Sequence, residues 1–329
     1  MTDFNKNKLL VILGPTATGK TDLALRLASL AQGELVSADS RQVYRGLDIG
    51  TGKLPGGDLR FTVKDLRIKK GKGWWEIGGI KIWMYDVVSP AVQYTVADYV
   101  KDTQKVINKI VTSDKLPIIV GGTGLYLKAL LYGLPNLTIP VDKKLRKELE
   151  KLTKEKLRKR LKVIALERWK MMNQSDRENP RRLVRAIELA GSNHVGDPSP
   201  AVPVQDDNVL KVGLTAPREV LYTRADARVI SRINQGMIEE SKRLQKNGLT
   251  LERMKGLGLE YGVLADYLDG KINDNIDELI EKLQWKIHGY IRRQLTWFKK
   301  EKNINWFDIT DKNTFVKVER LVAKWYYSN

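Results

Sequence analysis

The chain contains no cysteine, which excludes disulfide cross-links and thiolate metal centres. Histidine is almost as scarce. His194 and His288 are the only two in 329 residues, too few for a multi-histidine metal site. No stretch reaches the roughly 18 consecutive apolar residues of a membrane span. The opening residues, MTDFNKNK, lack the apolar core of a secretory leader and run directly into a strand-like segment. A cytoplasmic protein without membrane contact is expected. Acidic residues are also in short supply, 39 against 58 Lys plus Arg, leaving a net charge of +19. Such an excess suits a polyanionic partner, because neutralising phosphates releases counterions.

What is present is patterned. The 42% hydrophobic content can fill a sizeable core, and the length suits about two domains. KLLVIL at 8–13 reads as a buried strand, followed by a helix over 19–31 with Leu23, Leu27 and Leu30 on one face. ELVSAD at 34–39, LPIIVGG at 116–122 and VLKVGLT at 209–215 are further strand candidates; helices follow the last two, to about Tyr132 and about Asn247. This alternation predicts an α/β fold with a parallel sheet flanked by helices. Two segments interrupt it. Residues 60–85, with Gly-rich turns and alternating aromatics, read as a solvated β-hairpin of no catalytic importance. Residues 140–205 repeat apolar positions at helical spacing (Leu145, Leu149, Leu152; Leu157, Leu161, Ile164) and end in the loop GDPSPAVP at 196–203. They are expected to form a mostly helical insertion domain within a core of 1–139 plus 206–329. From Lys143 to Arg185 there are 17 basic and 6 acidic residues, so this insertion holds more than half of the excess charge and favours electrostatic docking.

GPTATGKT, Gly14–Thr21, has the spacing of a phosphate-binding loop, with a strand before it and a helix after. Its glycines allow backbone N–H groups to face phosphate oxygens, and the helix start adds partial positive charge. Lys20 supplies a full charge, and the Thr21 hydroxyl suits Mg²⁺. Asp39 sits at the carboxyl end of the second strand, on the same sheet edge as that loop. Metal ligand, general base and turn cap are all open to it. Thr123, in the glycine turn GGTGLY, is placed to donate a hydrogen bond at that edge. NPRRLVRAIE puts Arg181 and Arg185 one helical turn apart with Arg182 beside them, suiting phosphates or stacked bases. In RRQLTWFKK, Trp297 and Phe298 read as core, while Arg292, Arg293, Lys299 and Lys300 are suited to border a nucleic-acid groove.

These motifs, with SADSRQVYRGLDIGTGK and GGTGLYLKALLYG, stand in the order found in the tRNA dimethylallyltransferases, or tRNA isopentenyltransferases; the chain resembles that family over about residues 8–307. The resemblance implies a P-loop NTPase-like core. It also implies transfer of a dimethylallyl group from dimethylallyl diphosphate to the exocyclic N6 amine of the adenosine 3′-adjacent to the anticodon, with release of pyrophosphate and with Mg²⁺. On this reading Asp39 is the base for the amine and Thr16 bonds near the bridging oxygen of the diphosphate. Gly14, Pro15, Thr16, Ala17, Thr18, Gly19, Lys20 and Thr21 cradle that diphosphate. Arg224 is the family's pyrophosphate arginine, with Arg228 as the fallback. The flipped adenosine and its neighbour are read by Asp39, Ser40, Arg41 and Gln42. The anticodon stem-loop meets Thr123, Arg146 and the run Arg181, Arg182, Leu183, Val184 and Arg185. The two substrates would enter one channel from opposite mouths, and the protein is expected to act as a monomer.

The sequence departs from the family in three places: the long 60–85 segment ending in KIWMYD, the stretch MKGLGLEY at 254–261, and the residues before RQLTWF. None is expected to touch the loop or Asp39. Two rival readings share the loop: a P-loop kinase of a nucleoside or small metabolite, and an RNA-binding protein whose loop is vestigial.

Overall fold

The structure, a computed structural model, describes residues 8–54, 67–137, 139–191, 208–272 and 275–327. The chain runs through β1 (Leu9–Leu13), α1 (Lys20–Leu30), β2 (Gly33–Ser37), β3 (Ile68–Gly71), β4 (Trp74–Ile77), β5 (Ile80–Trp83), α2 (Val96–Thr112), β6 (Leu116–Gly121) and α3 (Gly124–Tyr132). Five helices follow: α4 (Lys143–Leu149), α5 (Lys154–Ile164), α6 (Leu166–Met171), α7 (Gln174–Arg177) and α8 (Pro180–Ala190). The chain then forms β7 (Val209–Thr215), α9 (Arg218–Asn234), α10 (Met237–Lys246), α11 (Leu251–Leu257), α12 (Leu259–Leu268), α13 (Ile276–Phe298), β8 (Asn305–Asp308) and α14 (Thr314–Tyr327). Two compact units result, Met1–Leu127 with Val202–Asn329, and Lys128–Ala201. No helix among the described residues is long and apolar enough to cross a membrane.

The first unit is built on one sheet of order β3-β4-β5-β2-β6-β1-β7-β8, parallel from β5 through β8. Its central strands are apolar without alternation because parallel strands are covered on both faces; no residue of β1 is more than 3% exposed. Leu10 and Ile12 pack with Leu23 and Leu27 of α1 and with Val318 and Val322 of α14. Leu30 departs from expectation: at the last position of α1 it is 60% exposed. A second apolar cluster joins Val43 and Leu47 to helices α9 to α13.

Residues 60–85 correct the reading of a solvated hairpin, although 60–66 lie outside the described residues. The segment forms three strands that extend the sheet, β3 and β4 antiparallel and β5 parallel to β2 through Leu35↔Ile82 and Val36↔Trp83. Trp75 is fully buried, and its Nε1 donates to Asp86 Oδ2 at 2.6 Å. Pairing with β2 delivers Tyr85 to the carboxyl edge of the sheet, where the cavity described below lies.

The second unit is helical. Leu149, Leu157, Leu161, Leu183, Val184 and Ile187 form its core, with Leu145 and Leu152 packed against them. Ile164, expected in that row, is 49% exposed. The loop 196–203 and His194 lie outside the described residues.

Candidate active site

The phosphate-binding loop leaves β1 at Gly14. Its φ is +138°, and a Cβ there would lie 2.2 Å from the carbonyl oxygen of Leu214 on β7, so the loop's position requires glycine. Gly19 (φ +81°) closes the loop at the N-cap of α1. No side chain caps that helix, so its first N–H groups remain for an anion. Thr18 Oγ1 donates to Pro15 O at 2.9 Å and holds the turn from within. Lys20 Nζ donates to the same carbonyl at 2.6 Å. Burial, with the Arg228 guanidinium nearby, pushes the Lys20 ammonium down to about 7, against the opposing pull of Asp39.

Helix α9 brings a column of arginines to this loop. Arg224, Arg228 and Arg232 recur every four residues and share one helix face. Arg224 Nε donates to Ala17 O at 2.8 Å, and Arg228 Nη2 donates to Thr16 Oγ1. Arg228, the fallback, thus reaches the loop as directly as Arg224. Burial and the neighbouring Arg232 lower Arg228 to about 9, which still leaves it charged at neutral pH. Arg232 donates to Gly50 O at 2.9 Å and pairs with Glu260 at 3.2 Å. The loop's outer side is held by Gln294 of α13, whose Oε1 accepts from Thr16 N and whose Nε2 donates to Gly122 O, both at 2.9 Å.

Asp39 lies just past β2, and its Oδ1 accepts from Arg41 N at 2.8 Å. The turn-cap role is therefore present, and it leaves the carboxylate lining the same cavity as Lys20. The ends of β2 and β6 are locked together. Thr123 N donates to Ala38 O at 3.1 Å, and Ser40 N donates to Thr123 Oγ1 at 3.2 Å. Thr123 Oγ1 accepts in this second bond, and its side chain also hydrogen-bonds Tyr290. Arg41 lies over the Tyr290 ring at 5.5 Å. The Gln42 amide is engaged at both ends, accepting from Ser37 Oγ at 2.6 Å and donating to Thr51 O and Gly52 O at 3.3 and 3.4 Å.

The outcome is one cavity of about 500 Å³ within the first unit, lined by Thr16, Lys20, Thr21, Asp22, Asp39, Arg41, Arg224, Arg228 and Tyr290 among others. Cations at one end and a carboxylate near them suit a diphosphate beside a group that must lose a proton. The three departures from the family pattern reach the wall of this cavity, and the hydrogen bond to the loop comes from the motif that is kept. Tyr85, Glu260 and Tyr290 line the cavity, and Gln294, which follows the third departure, bonds the loop itself. Gln294 stands in a motif the sequence singled out. Its partner Thr16 lies 278 positions away, which no local pattern reports. The four-residue recurrence of the α9 arginines was the signal for Arg228 and Arg232.

The expected RNA contacts of the helical unit are arranged differently. Leu183 and Val184 are 0% and 5% exposed; they are core, so their side chains are withdrawn from any RNA. Arg146 forks onto Glu188 at 2.6 and 2.8 Å. Arg185 donates to Glu188 Oε2 at 3.2 Å and to the carbonyls of Asn136 and Ile139 at 3.0 Å. Both guanidiniums are committed internally. Arg181 and Arg182 remain on the exposed side, with Arg182 paired to Asp176.

Comparison with known proteins agrees with this geometry. The model of the IPP transferase family matches residues 42–301, and that of the isopentenyl transferases matches 7–65. A tRNA dimethylallyltransferase of Treponema denticola is 39% identical, covering 92% of this chain and 96% of the relative. One from Geotalea uraniireducens is 38% identical, covering 89% and 88%. The crystal structure of a tRNA isopentenylpyrophosphate transferase from Bacillus halodurans superposes with a TM-score of 0.67 at 31% identity, covering 97% of both chains. None of these relatives carries a kinase name. A phosphate loop, an arginine column and a strand-end aspartate around one cavity, joined to these similarities over nearly the whole length, place the chain in the IPP transferase family, that of the tRNA dimethylallyltransferases.

Proposed function

We propose that the protein transfers the dimethylallyl group of dimethylallyl diphosphate to the N6 amine of the adenosine 3′-adjacent to the anticodon in tRNA, releasing pyrophosphate. The observation that carries this reading is the convergence of Lys20, Arg224, Arg228 and Asp39 on one cavity. An allylic C–O bond breaks through a carbocation-like state, so negative charge grows on the departing diphosphate. The loop N–H groups, Lys20 and the two arginines are oriented before that charge develops, which is where such groups lower a barrier most. Thr16 lines the cavity, and its Oγ1, bonded by Arg228, is assigned the contact near the bridging oxygen. The adenine amine is a poor nucleophile because its lone pair is delocalised into the ring. Asp39 accepts its proton as the new C–N bond forms, while the bond from Arg41 N holds the carboxylate in place.

The residues present fit a divalent cation, which we take to be Mg²⁺. Thr21 and Asp22 both line the cavity, and Asp22 Oδ1 is buried with no hydrogen-bond partner. Among the described residues no group of three or more acidic or histidine side chains would hold a metal alone, so Thr21, Asp22 and the substrate's own oxygens would share it. Such a cation supplies further charge neutralisation on the leaving group.

The adenosine must leave its stack to reach this cavity. We assign its reception to Ser40, Arg41, Gln42 and Thr123 around the Asp39 turn, of which Arg41 and Gln42 line the cavity, and the docking of the anticodon stem-loop to the helical unit, with Arg181 and Arg182 on its exposed side. Incubation with tRNA, dimethylallyl diphosphate and Mg²⁺, followed by mass spectrometry of the nucleosides, tests the proposal. Dimethylallyl adenosine and an equivalent of pyrophosphate are expected. Phosphate transfer from ATP to a small acceptor with unmodified tRNA overturns it.

A further inference from the structure

The helical unit carries far more cations than carboxylates, and its ion pairs show which cations are used up. Glu188 takes Arg146 and Arg185, Asp176 takes Arg182, and Glu178 takes Lys154 and Arg158. The arginines of α8 therefore serve largely as struts. On α5 the opposite holds. Leu157 and Leu161 face the core, and the reverse side presents Lys156, Lys159 and Arg160, all exposed and without an ion-pair partner among the described residues. Positions 156, 159, 160 and 163 follow the i, i+3, i+4, i+7 rule and form one ridge.

The fourth residue of that ridge is Val163, 84% exposed. Next to it, where α5 turns into α6, Ile164 and Leu166 are 49% and 50% exposed. Four residues thus place three apolar side chains in solvent at the end of a cationic ridge. A solvated helix face accounts for the lysines and leaves this corner unexplained. Double-helical RNA would engage the cations alone, since its base faces are stacked away. Single-stranded RNA offers both partners at once, phosphates for the cations and unstacked base faces for an apolar surface.

We infer that the outer ridge of α5 and its apolar corner form the surface of the helical unit that holds single-stranded loop nucleotides of the tRNA. The inference rests on the proposed function and transfers the main electrostatic contact from α8 to α5. Lysines suit this task, because flexible point charges follow a backbone without demanding one geometry.

The test uses the full chain and unmodified tRNA, with binding followed by fluorescence anisotropy over a salt series. The variant Lys156→Ala/Lys159→Ala/Arg160→Ala is expected to lower the slope of log Kd against log salt by about 2, the counterion release of three single-strand contacts. Its turnover at saturating tRNA and its affinity for dimethylallyl diphosphate should match wild type. A second variant, Val163→Ser/Leu166→Ser, should weaken binding several-fold with the slope unchanged, separating the apolar contact from the charges. Both sites are exposed, so the circular dichroism spectrum should not move. If wild type prenylates tRNA and both variants bind it with wild-type slope and affinity, the α5 surface is refuted and the proposed function stands. If wild type neither binds nor prenylates tRNA, both fall together.

Discussion

At the scale of single residues, two side chains decide the chemistry and each has a distinguishing test. Asp39 both caps a turn and lines the cavity, so Asp39→Ala removes two roles at once. Asp39→Asn retains an oxygen for Arg41 N and removes the negative charge and with it the ability to take a proton. Single-turnover prenylation by the asparagine variant should fall by about 10²-fold or more, the scale of general-base assistance, with tRNA binding intact. A rate near wild type would remove Asp39 from the proton's path. Lys20 makes a pH prediction. Its amine, lowered to about 7, is charged below that value and increasingly neutral above it. A bound diphosphate favours the charged form and raises that pKa, so binding takes up a proton near neutrality. Pyrophosphate affinity should therefore decline as the pH rises through 7. Lys20→Arg stays charged throughout, so subtracting its profile cancels the titration of pyrophosphate itself. Identical profiles for the two proteins, measured by calorimetry in buffers of different ionisation enthalpy, would contradict the assignment.

At the scale of elements, the charged helices of the second unit are braced from inside. The Glu188 side chain is 3% exposed and faces both Arg146 and Arg185. Removing this carboxylate leaves two half-buried guanidiniums without their shared acceptor, at a cost of about 1–3 kcal/mol. Glu188→Ala should destabilise the helical unit on that scale in denaturant titrations followed by far-UV circular dichroism. Arg185→Ala should likewise act on stability and leave the salt dependence of tRNA binding nearly unchanged; a flattened slope would restore Arg185 to the docking surface. In the first unit, Gln294 ties the loop after β1 to the end of β6 through two hydrogen bonds. Gln294→Leu should raise the KM for dimethylallyl diphosphate several-fold, because Thr16 N loses its partner and the loop loses its outer restraint. An unaltered KM would show that Gly14 and Thr18 hold the loop by themselves.

At the scale of the whole molecule, the net charge of +19 predicts a steep salt dependence for tRNA and a shallower one for the small diphosphate. Each phosphate neutralised contributes about 0.7–0.9 to the slope, so a tRNA slope near zero in the wild-type protein would remove the electrostatic argument altogether. Much of the architecture was readable before any coordinates. β1, β6 and β7 are short apolar runs bounded by glycine or proline, and parallel strands covered on both faces have little other way to look. The phosphate loop was equally plain, since every residue of its pattern answers a local demand of backbone or anion.

What escaped the sequence was most of the side-chain contacts between distant segments, although the shared edge of Asp39 and the phosphate loop was foreseen. The order of residues names Lys20, Thr21, Asp39 and the arginines of α9 as chemically capable, because side-chain type and spacing within one element are local properties. Only the fold decides that Trp75 is core, that Gln294 clamps Thr16, and that Arg146 turns inward to Glu188 while Lys159 does not. Those outcomes depend on which surfaces burial brings together, and the free energy of burial is shared among residues that sit tens to hundreds of positions apart.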